Sequence, residues 1–70
     1  MSTPTYQTNV IKERHDLITK LISLRCFFDT ETYRGLPLED QKLLDKQADV
    51  MSEYSTILYL RIARFNGVPE

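Results

Sequence analysis

The stretch FDTETYRGLPLEDQKLL, residues 28–44, decides the fold. Its first half collects residues that make turns and caps: Asp29, Thr30, Thr32, Gly35 and Pro37. Its second half opens a helix near Leu38. Pro37 is tolerated there because the N–H it lacks has no partner in a first turn, and Glu39 and Asp40 complement the positive end of the helix dipole. Leu36 is placed to staple against that turn. A connector at the middle of a 70-residue chain, with helical patterns on both sides, predicts an all-α fold. The chain doubles back as an antiparallel two-helix hairpin.

Working outward, the first helix is expected over about residues 8–28. Thr3, Thr5, Thr8 and Asn9 all offer caps, so its start is poorly marked. Val10, Arg14, Leu17, Leu21, Leu24 and Phe28 alternate at spacings of four and three, the stripe of a helix packed along its length. A second stripe, Ile11, His15, Ile18 and Ile22, lies beside it. The second helix is expected over about 38–65. Leu44, Ala48, Met51, Ser55, Leu58, Ile62 and Phe65 form its seam, with Leu43, Val50, Tyr54 and Ile57 as a flanking stripe. Asn66-Gly67-Val68-Pro69 supplies a stop: a left-handed glycine, an apolar residue and a proline. The organisation is thus a flexible arm at 1–7, a helical hairpin at 8–66 with its turn at 29–37, and a tail at 67–70. Folding the seams together sets Phe28 opposite Leu44, Leu24 opposite Ala48, Leu21 opposite Met51, Leu17 opposite Ser55, Arg14 opposite Leu58 and Val10 opposite Ile62. Large residues then face small ones, which lets the backbones approach.

A chain this short buries only about 60% of the surface that its unfolded form exposes, so one core is marginal. Small scaffolds compensate with disulfides, a metal or oligomerisation. One cysteine, Cys26, excludes an internal disulfide, and one histidine beside it excludes the usual zinc sets. No cofactor is implied. Oligomerisation remains, and a lone hairpin would leave Ile11, Ile18, Ile22, Val50, Tyr54 and Ile57 wet. Packing these stripes against another copy is expected to close a homo-oligomeric helical bundle. The formal net charge of −1 argues against tracking duplex nucleic acid, and no apolar run is long enough for a membrane. The N-terminus lacks the pattern of a signal peptide, so a cytoplasmic setting is expected.

No catalytic constellation is legible. His15 is the only imidazole and has no nucleophile ordered beside it, and Cys26 reads as a packed thiol. Arg14 is the most informative residue, a cation at a seam position. It fixes register with its stem packed and its head reaching water, or it holds an anion between subunits. In the antiparallel register Arg61 and Arg64 return beside Lys12, Arg14 and His15, with Tyr6 and Tyr59 in reach. Cations with aromatic faces of this kind can grip phosphates and stack bases. The plainer reading is that Arg61 and Arg64 complement a helix C-terminus while Glu13 and Asp16 dilute the patch. The exposed Tyr33-Arg34 tip is a second contact candidate.

The run RHDLITKLISLRCFFDTETYRGLPLEDQKLLDKQADVMSEYSTILYLRIARF, residues 14–65, resembles a family of small uncharacterised helical-hairpin proteins of tailed phages and prophages. Its marks are a first helix ending in Phe28, a Leu36-Pro37 start, and a second helix from Asp40-Gln41 through Leu44, Gln47, Met51, Tyr54 and Leu58 to Arg61-Ile62. Members often carry a polar cap where this chain has Pro37. The resemblance implies a phage origin and carries no activity with it. By analogy with small phage oligomers that sequester cyclic nucleotide signals, the expected function is non-enzymatic counter-defence: capture of a nucleotide messenger at intersubunit pockets by Lys12, Arg14, Arg61, Arg64, Tyr6 and Tyr59. The alternatives are a module that binds a host or virion protein, and a structural oligomer.

Overall fold

A computed structural model describes residues 5–67, with side chains for residues 5–65. Two long helices, α1 (Thr5–Phe27) and α3 (Leu38–Gly67), flank a single-turn helix α2 (Glu31–Arg34). The long helices pack antiparallel along their length, giving a rod whose Cα atoms extend 52 × 16 × 14 Å. The fold is therefore all-α and a helical hairpin.

The boundaries differ from the sequence reading at three places. Thr5, Tyr6 and Gln7, assigned there to the arm, are helical, and Gln7 is buried. Residues 1–4 of that arm lie outside the described residues. The connector is a helical turn of its own: the Thr30 hydroxyl donates to the Phe27 carbonyl (2.6 Å) and accepts from the Tyr33 amide (3.2 Å). One side chain thus ends α1 and caps α2. Gly35 closes α2 with φ −84°, and no glycine among the described residues has a positive φ. The left-handed glycine expected at the C-terminal stop is corrected accordingly: Gly67 continues α3, and residues 68–70 of the tail lie outside the described ones.

α3 starts without a side-chain cap. The Pro37 carbonyl accepts its first backbone bond from the Gln41 amide (3.1 Å). The Gln41 side chain then reaches backwards, its Nε2 lying 3.1 Å from the Tyr33 carbonyl, 3.2 Å from that of Arg34 and 3.1 Å from that of Leu36. A side chain from the first turn of α3 therefore closes the connector that precedes it. Tyr33 completes the clasp. Its ring packs on Phe28 (4.8 Å between centroids) and Phe27 (6.0 Å), and its hydroxyl donates to Asp45 (2.7 Å).

Among the described residues the buried apolar ones are Val10, Leu21, Ala48 and Leu58, all from the two seams, and of these Leu58 alone is fully enclosed. Near the termini Tyr6 meets Phe65 edge-on at 5.7 Å, and Arg14 lies over the Tyr59 ring. Both pairs fall within one residue of the expected register. This core is thin for the chain that it must order. Among the described residues ten large apolar or aromatic side chains stay at least 40% exposed, including Ile11, Ile22, Val50, Tyr54 and Ile57.

Candidate functional site

A helix advances about 100° per residue, so each side chain's place around the rod follows from its distance to the seam. On α1, Ile11, Ile18 and Ile22 lie about a quarter turn ahead of the seam. On α3, Val50, Tyr54 and Ile57 lie about a quarter turn behind it. Because the helices run in opposite directions, ahead on one and behind on the other are opposite sides of the rod. The contacts agree. Tyr54 shares a groove with Asn9, Lys12, Glu13, Asp16, Leu17 and Lys20, none of which belongs to the isoleucine stripe. The two flanking stripes grouped in the sequence into one interface therefore occupy separate faces. Within them Ile18 is half-buried and the other five residues are exposed.

The same geometry divides the basic end. Arg14 is half-buried in the seam and turns towards the isoleucine face, its guanidinium carbon 5.3 Å from the centre of the Tyr59 ring. Tyr59 is 55% exposed, so the stack is open on its outer side. Arg14 Nε is buried and has no hydrogen-bond acceptor. His15, exposed, falls on the same side. Tyr6, Arg61 and Arg64 fall on the groove side, where Tyr6 rests against Phe65. Lys12 lines the groove. The six expected ligand residues thus fall on two sides of the rod, Arg14 in contact with Tyr59 on one and Tyr6, Lys12, Arg61 and Arg64 on the other, and one hairpin does not bring them to one point.

The groove, of about 410 Å³, is a feature that sequence reasoning missed. Lys12 and Lys20 border it beside Glu13 and Asp16, with the Tyr54 ring at its edge. Asn9, Lys20 and Tyr54 entered no ligand set in the sequence reading, because a groove wall shared by two helices leaves no periodic mark on either one. No group of three or more potential metal ligands occurs among the described residues, and no described helix is long and apolar enough to cross a membrane.

A family model described as Sequestin matches residues 4–64, a span that takes in nearly all of both long helices and the whole connector. The chain belongs to the Sequestin family. No curated protein and no solved structure matches it. The family match covers the hairpin core, Arg14 and Tyr59, the groove and Arg61 alike, so membership does not single out one of the two sides.

Proposed function

We propose that the protein is a non-enzymatic binder that captures a nucleotide signal at pockets formed between its copies, as a phage counter-defence protein acting in the host cytoplasm. Sequestins are phage proteins that sequester host signals. The observation that carries the reading is the Arg14–Tyr59 stack. It sets a guanidinium against an exposed aromatic ring, the pair of functions that a phosphate and a base require. Tyr6, Lys12, Arg61 and Arg64 offer an aromatic ring and cations on the other side of the rod. Two half-sites on opposite faces suit an assembly in which neighbouring hairpins complete each other's pockets.

The test is thermal denaturation of the purified protein against a panel of cyclic di- and trinucleotides, after light scattering has fixed its mass. A ligand at 100 times its Kd stabilises by about 2.7 kcal/mol, and each kcal/mol moves the midpoint of a domain this small by about 4–8 °C. A saturable rise with one nucleotide supports capture. Loss of the rise in Arg61→Ala assigns the phosphate to the Tyr6 side, whereas loss in Tyr59→Ala assigns the base to the Arg14 stack. No shift with any nucleotide overturns the reading. The exposed Leu43, Val50 and Ile57 beside the groove would then favour a protein partner, either host or virion, over a structural role.

A further inference from the structure

The isoleucine face carries a charge pattern that its own hairpin leaves unanswered. At the terminal end stand Arg14, half-buried over the exposed Tyr59 ring, and the exposed His15. At the connector end, on the α3 side of the same face, stand Asp45 and Asp49, one helical turn apart and both exposed. Tyr33 occupies one oxygen of Asp45. Between the two ends lie Ile18 and Ile22.

We infer that this face is the docking surface for a second copy of the chain, laid antiparallel on it about a two-fold axis near Ile18 and Ile22, so that the acidic pair Asp45/Asp49 of each copy faces the Arg14 guanidinium and its Tyr59 ring in the other. The sign of the charges selects the orientation. With the axis across the rod, the ends exchange while α3 lies over α3, and the Arg14–Tyr59 stack meets the acidic pair. With the axis along the rod, the ends do not exchange, and Arg14 meets the other copy's Arg14 and His15, like against like. The occupant is a second copy because the complement to the face is the face itself, turned end for end. Arg25 lies on the α1 side of the acidic end, so in this arrangement it falls near His15 and away from Arg14. Ile18 and Ile22 pack across the axis, covering apolar surface that the hairpin alone leaves open.

The inference rests on the expectation of self-association and not on the nucleotide. It does bear on the nucleotide site, since a bound phosphate competes with the carboxylates for the N–H groups of Arg14. The test is therefore made without ligand. Arg14→Asp and Asp49→Arg are purified singly, and their masses are followed by light scattering and sedimentation across a dilution series. Each single variant places like charges together at both ends of the dyad, and self-association is expected to weaken at least ~30-fold. Mixing the two variants restores opposite charges at both ends, and the mixture is expected to return to the wild-type mass as a heteromer. Asp49 is exposed, so Asp49→Arg retains the hairpin fold even if Arg14→Asp proves insoluble, and its mass then decides the case. Wild-type association left unchanged in Asp49→Arg overturns the proposal, as does a mixture of folded variants that stays dissociated or a wild-type protein that is monomeric throughout. A failed nucleotide titration touches none of these outcomes.

Discussion

Replacing Gln41 with Leu removes the α3 side chain that reaches back to the connector carbonyls while nearly conserving volume. Three carbonyls face its Nε2, but their losses are unequal. The Tyr33 carbonyl also accepts from the Leu36 amide (3.1 Å), so it keeps a partner. The bond to Arg34 is exposed, and water replaces it at little cost. The bond to Leu36 is partly buried, and no other donor to that carbonyl is present among the described residues. One bond with a net worth of about 1 kcal/mol, plus part of the desolvation cost of the orphaned carbonyl, gives an expected loss of about 1–2 kcal/mol. For a 70-residue domain that lowers the thermal midpoint by about 4–16 °C. Urea denaturation followed by circular dichroism measures the free energy directly, and an unchanged m-value confirms that the unfolded state is unaffected. The control is Gln47→Leu, because Gln47 is exposed and its Nε2 approaches only the Met51 sulfur at 3.8 Å. Equal small losses in the two variants, both under about 0.5 kcal/mol, would refute the argument that Gln41 closes the connector.

Leu58→Ala empties a fully enclosed position and is expected to cost about 3–5 kcal/mol, against a total near 4–10 kcal/mol for a domain of this length. Ile57→Ala, one residue away but 56% exposed, costs under about 0.5 kcal/mol in an isolated hairpin, so a larger loss in denaturant titrations reveals a covering partner. Replacing both Ile18 and Ile22 with Glu is expected to give a smaller species on size exclusion with light scattering, and an unchanged mass would remove this face from any interface. The hydrogen bond from Tyr33 to Asp45 raises the Tyr33 phenol above its ordinary pKa of 10.0, and slight desolvation and the carboxylate's charge act in the same direction. The folded state therefore favours the neutral phenol: this contribution to stability is complete below pH about 10 and is lost as pH rises through the folded pKa above it. Following phenolate absorbance in wild type and Tyr33→Phe checks this, and a variant that loses an ordinary rather than a late step would contradict it.

Much of the fold was legible because both seams repeat at alternating spacings of four and three, and a side chain's angle on its own helix is set by counting residues. Register followed from the same seams, and the Tyr6–Phe65 and Arg14–Tyr59 contacts lie within one residue of it. The connector was less legible. Thr30 and Gly35 were visible as cap and turn formers, but Gln41 resembled any polar residue in a helix. Its role depends on carbonyls five to eight residues earlier in the chain, brought to it by the fold of the connector.

By itself, the sequence determined that this chain is a helical hairpin with more apolar surface than one hairpin buries, and that a cation sits in its seam. Only the tertiary structure decided which surplus residues share a face. Reversing the direction of one helix reverses the sense in which its residues wind about the rod, so stripes that look equivalent along the chain end on opposite sides. The same reversal parted Arg61 and Arg64 from Arg14, turned Arg14 onto Tyr59, and left its Nε buried without an acceptor. Periodicity places residues on a helix, but which of them meet is settled by the direction of the neighbouring helix.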